Sequence, residues 1–416
     1  MSALDTARLQ FATTTALHFL FVLLTLGLVP VVAILQTRYV RSGNPIFARL
    51  ARFWGRLYVI NYAVGIASGL VMEFQFGLNW GGLSRLTGDV FGAPLALETL
   101  LAFVLESTFL GLWIFGWERL PKRLHLALIW GVVLTAYLSA FWVMVANAFL
   151  QHPVGYAVSP GTGAVRLSDF GALLANSNLW MAFLHVFFAG IVTGGFFVLG
   201  VSAWHLLRRT AEVEFFRRSM RLGAVMAAIG TVLVIGVGYA QLGPIEANQP
   251  TKLATGDKLA AAQAAMVAAH GPGDYAPPGW VKGVYDDMTS AGNLLFLVAF
   301  IVLLLQIRFV VARLRPVLWL LVVLVPIPFV TAIGGWLVRE VGRQPWAVYG
   351  VLRTSDAVST LDAGTLRASL VAFGGLLLAL AAVDWWLLVR SAGRGPGDEF
   401  LPAADPAPER AEVFAA

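Results

Sequence analysis

The sequence predicts an all-α protein, a polytopic membrane helical bundle with about nine transmembrane helices. Three observations predict it. The 416 residues are 58% hydrophobic and only 12% charged, whereas soluble domains carry about 25% charged residues. The mean hydropathy is +0.77, and the apolar residues gather into runs near the ~20 residues that cross a bilayer. Arg and Lys collect in every second connection between those runs.

The runs fall at residues 14–36, 53–75, 94–117, 126–150, 179–204, 222–241, 291–311, 318–338 and 370–389. No stretch reads as a soluble domain, so residues 1–394 form one membrane-embedded unit. Within it, residues 241–288 make the longest connection, and residues 395–416, rich in Ala, Pro and acids, read as a disordered tail. Loops of more than about 12–15 residues are commonly functional or disordered, and the Ala-rich 258–269 stretch suggests a short helix. The basic connections hold Arg38, Arg41, Arg49, Arg52 and Arg56, then Arg119, Lys122 and Arg123. Arg208, Arg209, Arg217, Arg218 and Arg221 follow, then Arg308, Arg313 and Arg315, then Arg390 and Arg394. Positive charge stays on the cytoplasmic side, so the N-terminus is expected outside and the C-terminus in the cytoplasm. The net charge of +6 therefore sets topology and implies no nucleic-acid partner. The start, Met1 to Thr15, lacks a charged n-region and a cleavage site and reads as mature sequence. With 0 Cys, disulfides and thiolate metal sites are excluded.

Against this frame a few residues are out of place. The third span carries Glu98 and Glu106. An acid at mid-bilayer costs roughly 3 kcal/mol on insertion scales, so a helix that only spans would not hold two. Their spacing is about 12 Å of helix rise, on roughly one side, as for two proton or cation stations; paired structural acids are the alternative. Among the histidines, His125, His152, His205 and His270 sit in connections or at span ends and read as solvated or interfacial. His18 and His185 lie inside apolar spans. With Met288 just before the seventh span and Glu340 just past the eighth, they gather in the outer half of the bundle. Imidazole, thioether and carboxylate are then the available ligands, and haem iron accepts a His/Met pair. A small-residue run, Ala189 to Gly195, follows His185 and would leave room for a flat macrocycle or serve helix packing. Arg343, in Gly342-Arg343-Gln344-Pro345-Trp346, would pair with a haem propionate or anchor a helix end.

Longer motifs sharpen this reading. They are Arg8-Leu9-Gln10-Phe11-Ala12 with His18-Phe19-Leu20-Phe21, and Met72-Glu73-Phe74-Gln75-Phe76-Gly77 with Asn79-Trp80. Gly88-Asp89, Phe91 to Ala96 and Glu98 follow, then Leu105-Glu106-Ser107-Thr108-Phe109, Ala146-Asn147 and Gln151 with Pro153-Val154-Gly155. The set closes on Gly335-Trp336, Glu340 and Gly342 to Trp346. Across nearly all spans the chain resembles subunit I of the bd-type quinol oxidases of bacterial respiratory chains. The resemblance implies His185 and Met288 as axial ligands of a low-spin haem b. It implies His18 and Glu340 as ligands of two high-spin haems, His18 on haem d (or a third haem b) and Glu340 on haem b. Trp336 and Arg343 would bind these cofactors, Glu98 and Glu106 would serve the dioxygen site and its protons, and Lys252 and Asp257 would bind quinol in the external loop. The family works in the bacterial cytoplasmic (inner) membrane with a second membrane subunit, and some members with a very small third one.

The chain departs from the family around the electron donor. Asp286 stands where the family has Arg two residues before the ligating Met, an acid expected to alter haem potential and propionate pairing. Val237-Gly238-Tyr239 replaces Ser-Gly-Asp, and Asp257 replaces Glu. Two further readings stay open at this point: a haem-binding paralogue with an altered donor or a structural role, and an ion transporter that uses the intramembrane acids.

Overall fold

The computed structural model describes residues 2–161 and 163–397. Within them, nine helices are long and apolar enough to cross a membrane, as the hydropathy pattern predicts. Each is longer than its apolar run, because a helix continues into polar residues while its caps and neighbours satisfy its ends, although the seventh stops at Leu305, short of the predicted 311. Helix α1 (Ala3–Ser42) starts on Ser2, which caps the Asp5 amide, and stops at Gly43 in the left-handed region. Helix α2 (Pro45–Asn79) begins on an Asn44 cap with Pro at its first position, where a missing N–H does no harm.

The third span is composite. It consists of α3 (Gly81–Thr99), a π-helical segment Leu100–Glu106, and α4 (Ser107–Phe115). The two acids of this span therefore flank and end a π segment, not a uniform α-helix, and such segments concentrate at functional sites. Helix α5 (Lys122–Gln151) leads to a two-stranded hairpin, β1 (Tyr156–Val158) with β2 (Val165–Leu167), in the register Tyr156↔Leu167. A short α6 (Phe170–Leu174) precedes α7 (Trp180–Leu207) and α8 (Val213–Ala240).

The long connection is ordered: α9 (Leu242–Asn248) extends the sixth span and α10 (Gly256–His270) forms where the Ala-rich stretch predicts a helix. Helix α11 (Trp280–Leu305) begins well before its apolar run, so Met288 lies inside the helix and not ahead of it. The eighth span is broken into α12 (Arg315–Val323) and α13 (Ile327–Val341). Pro326 and Pro328 remove amide donors at the break. The helix runs on past the predicted end at residue 338, so Glu340 sits in the last turn of α13 and not beyond it. A second hairpin, β3 (Trp346–Val348) with β4 (Leu352–Arg353), then α14 (Thr354–Ala357) and α15 (Ala363–Arg394), complete the fold. The predicted tail beyond residue 397 lies outside the described residues.

Helices α1, α7 and α8 cross at backbone distance. A Cβ on Gly194 would stand 2.5 Å from the Gly27 backbone, and one on Gly195 would stand 2.7 Å from the Ala227 nitrogen. The small-residue run after His185 therefore packs helices, with only Ala189 and Val192 left to face a cavity. In lipid, where apolar burial drives little association, such close contact supplies the dispersion that holds helices together. Two other expectations are corrected. His125 is buried at 3% exposure, stacked on Trp113 and hydrogen-bonded to Gln36 and the Trp113 carbonyl. His205 is likewise buried, stacked on Phe216 and bonded to the Ala392 carbonyl. Both are satisfied core residues, not solvated ones.

Gly194→Val should destabilise the bundle by about 3 kcal/mol through overpacking, read as a lower melting temperature in detergent. Gly236→Val, with nothing within 4 Å of its added Cβ, should melt with the parent; equal melting of the two variants would contradict the crossing.

Candidate functional site

Helices α7, α8, α11 and α13 enclose a cavity to which His185, Met288, Trp336, Arg339 and Lys252 all contribute, with Phe19 from α1. His185 Nδ1 lies 2.9 Å from the Val234 carbonyl. That oxygen can only accept, so Nδ1 carries the proton and Nε2 keeps its lone pair for a ligand. Gly238 lies flat against the ring, since a Cβ there would sit 3.0 Å from the imidazole Cε1. Across the cavity, Gly335 makes the same room for the Met288 sulfur, 2.8 Å from where its Cβ would be. Glycine at both places leaves an imidazole and a thioether facing one space.

His18 follows the same logic. Its Nδ1 lies 2.8 Å from the Ser68 hydroxyl, and that hydroxyl donates to the Gly65 carbonyl at 2.6 Å. Ser68 therefore accepts from His18, and His18 Nε2 is again the free, basic nitrogen. Phe19, next in the chain, touches the Trp336 ring at 5.9 Å between centroids, which brings the first and eighth spans together beside the cavity.

Glu340 is buried at 6% exposure. Its Oε1 accepts from Asn147 at 2.8 Å and Gln151 at 3.2 Å, and its Oε2 accepts from Arg343 at 2.7 Å. Arg339 donates its Nε to the Asn147 oxygen at 2.6 Å. Lys252, buried under Gly342, donates to Gln151, Gln249 and the Arg339 carbonyl at 3.1, 3.0 and 2.9 Å. Burial pushes the Lys252 ammonium well below its ordinary pKa; Arg339 and Arg343 add to this and Glu340 opposes it. Burial lowers the Arg343 guanidinium as well, with Glu340 opposing. Asp257 is exposed in the first turn of α10, and among the described residues no hydrogen bond or ion pair joins it to Lys252.

The unmet hydrogen bonds of this region are of one kind. Trp336 Nε1, Arg339 Nη2, and Arg343 Nε and Nη1 are buried donors with no partner among the described residues. Three residues at i, i+3 and i+7 thus present donors along one side of α13 and its extension. Donors without acceptors call for an anionic or carbonyl-bearing guest, and an imidazole with a thioether supplies the axial pair a porphyrin iron takes. Among the described residues no three His, Asp or Glu side chains converge as a metal cage. The donor set fits haem.

The two acids of the third span stand apart from that network. Glu106 is buried at 3% and accepts from the Tyr58 hydroxyl at 2.9 Å. Glu98, half-buried, accepts from Ser139 at 3.1 Å. The Thr99 hydroxyl lies 3.2 Å from Glu73 and 3.5 Å from Glu98, which makes Glu73 a third carboxylate of this patch. Gln75 is 1% exposed with both amide atoms unpartnered.

Sequence reasoning missed Arg339, Ser68, Val234 and Tyr58. An Arg beside Glu340 at the end of an apolar helix was a usable signal, because an intramembrane ion needs a partner. Backbone carbonyl and hydroxyl partners such as Val234 and Ser68 leave no such trace.

The family model "Cytochrome bd terminal oxidase subunit I" matches residues 6–274 and 268–396. The chain is 38% identical to the "Cytochrome bd ubiquinol oxidase subunit 1" of Bacillus subtilis (strain 168), over 95% of this chain and 94% of that one. It is 32% identical to the "Cytochrome bd-II ubiquinol oxidase subunit 1" of Escherichia coli (strain K12), over 94% and 97%. Its fold matches the structure of the bd oxidase from Geobacillus thermodenitrificans with a TM-score of 0.84 and 25% identity, covering 95% of this chain and 99% of that one.

Removing one partner of a buried ion pair costs about 3–5 kcal/mol, because the other charge is stranded. Glu340→Gln should therefore lower the melting temperature of the haem-free protein, and Arg343→Met in the same chain should recover part of the loss. A double variant that melts below the single one would show that Arg343 is not stranded by the first change.

Proposed function

Because the chain belongs to the cytochrome bd terminal oxidase subunit I family, we propose that it is the haem-binding subunit of a respiratory quinol:oxygen oxidoreductase. It works in the bacterial cytoplasmic membrane beside a second membrane subunit. The observation that carries this reading is the cavity where His185 Nε2 and the Met288 sulfur face each other's space, next to a helix side that offers only unpartnered donors. His185 and Met288 hold a low-spin haem b. His18 holds haem d, or a third haem b, and Glu340 holds the high-spin haem b. Trp336 and Arg343 complete these sites through their free N–H groups. When bound, the haems supply one-electron transfer and dioxygen chemistry.

The protein's own groups do the rest. The Nδ1–H bonds to Val234 and Ser68 fix each imidazole in the tautomer that binds iron. Quinol docks at the outer face against the 241–288 loop, with Lys252 buried at the root of that loop and Asp257 on the exposed turn of α10. Its protons leave to the outside. Glu106 and Glu98 pass protons from the cytoplasmic side, Glu106 held by Tyr58 and Glu98 by Ser139. Two quinols become two quinones while one dioxygen becomes two waters, four protons being released outside and four taken up inside. That sidedness separates charge without a pump. The Arg-rich connections at alternate ends support an N-terminus outside and a C-terminus in the cytoplasm. The salt bridge from Lys282 to Asp286 at 2.6 Å answers the acid's charge on its own helix and keeps it compatible with a working donor site.

A reduced-minus-oxidised optical spectrum of the purified complex should show low- and high-spin haem bands together with quinol-dependent oxygen consumption. His185→Ala should remove the low-spin band and leave the high-spin bands; survival of every band would refute the ligand assignment. Glu106→Gln should slow oxygen consumption by roughly 10²-fold or more, as for loss of a proton-transfer group, with all haem bands retained. Turnover at the parent rate would exclude Glu106 from the proton route.

A further inference from the structure

We infer that Arg339 binds a carboxylate of the group held between His185 and Met288, which for haem is a propionate, and so helps set that haem's potential. This rests on the low-spin haem reading given above, and four observations carry it. Arg339 lines the same cavity as His185 and Met288. Its Nη2 is buried and has no partner among the described residues. Its neighbour Glu340 bonds elsewhere, with Asn147 and Gln151 on one carboxylate oxygen and Arg343 on the other. Nor does the helix that carries Met288 offer a free cation nearby, since Lys282 is bound to Asp286 at 2.6 Å on the exposed side.

The local charge points the same way. Arg339 and Arg343 both act on Lys252 through the interior, and Glu340 is the one acid among the charges that act on all three. Two guanidiniums against one carboxylate already leave an excess of positive charge, which a guest with carboxylates removes. The guanidinium of Arg339 is also held for the task. Asn147 takes its Nε at 2.6 Å, so the fork cannot swing away, and a planar fork matches a carboxylate better than an ammonium does. A fixed positive charge beside a haem disfavours the more positive ferric state, so Arg339 raises the potential.

The test is a potentiometric titration of the low-spin haem band in the haem-loaded complex with its partner subunit, for the parent, Arg339→Gln and Arg339→Lys. Arg339→Gln should shift the reduction equilibrium about tenfold towards the oxidised form, about 59 mV for a one-electron couple. The high-spin bands should move less. Arg339→Lys should give a smaller shift, with a changed propionate bending band in the resonance Raman spectrum because the fork is gone. Loss of the low-spin band in Arg339→Gln, with the high-spin bands retained and Arg339→Lys still loaded, also supports the proposal. A low-spin haem at the parent potential in both variants, with an unchanged Raman band, overturns the role of Arg339 and leaves the His185/Met288 reading standing. No low-spin band in the unsubstituted complex overturns both.

Discussion

One carboxylate, Glu340, is shared among more cations than it can neutralise. Arg343 takes one of its oxygens, while Asn147 and Gln151 take the other and pass the connection on to Arg339 and Lys252. These bonds join the end of α5, the turn before α10 and the last turns of α13 into one buried unit. In low dielectric an unpaired charge is expensive, so this unit is stable only if its remaining N–H groups find acceptors. The constraint explains why the long connection is ordered at its root. Lys252 and Gln249 are tied to Gln151 and to the α13 backbone, and further along Tyr275 stacks on Trp346 at 5.7 Å and accepts from Arg353. A loop proposed to meet quinol is thus fastened to the helix end proposed to meet haem.

The rest of the bundle sets where that unit stands. Glycine contacts let α1, α7 and α8 approach at backbone distance, which places His18 and His185 on neighbouring helices. The proline break between α12 and α13 frees the second half of the eighth span to aim Trp336, Arg339 and Glu340 at their neighbours. Each histidine spends one nitrogen on a fixed partner and keeps the other. The same economy recurs at the methionine, where Gly335 gives the sulfur its room. Packing, tautomer and charge therefore leave ligand atoms and free donors around one space, which supports the proposed haem.

Much of this was legible in the chain. Nine apolar runs became nine candidate spans among the described residues, because a bilayer demands a continuous hydrogen-bonded helix and the hydropathy pattern records that demand directly. The candidate ligands were legible because polar residues in such runs are rare. Helix ends were not: Met288 and Glu340 lie inside helices that outrun their apolar cores, since caps and side-chain partners decide where a helix stops. His125 and His205 were misread for the same reason, as ring stacking and backbone carbonyls bury an imidazole at a span end. The π segment between Glu98 and Glu106 left no pattern in sequence. Arg339 was in plain view, yet its meaning depends on Glu340 being bonded to Arg343, Asn147 and Gln151, and only the three-dimensional arrangement shows that.

The central claim is that the excess buried donors exist to hold a macrocycle by its carboxylates while His185 and Met288 hold its iron. A density map of the purified complex with its partner subunit tests it most directly. The account predicts a planar density joined to His185 Nε2 and the Met288 sulfur, with a carboxylate arm ending at Arg339. A cavity filled by lipid or closed by its own side chains, with Arg339 turned to some other acid, would contradict it.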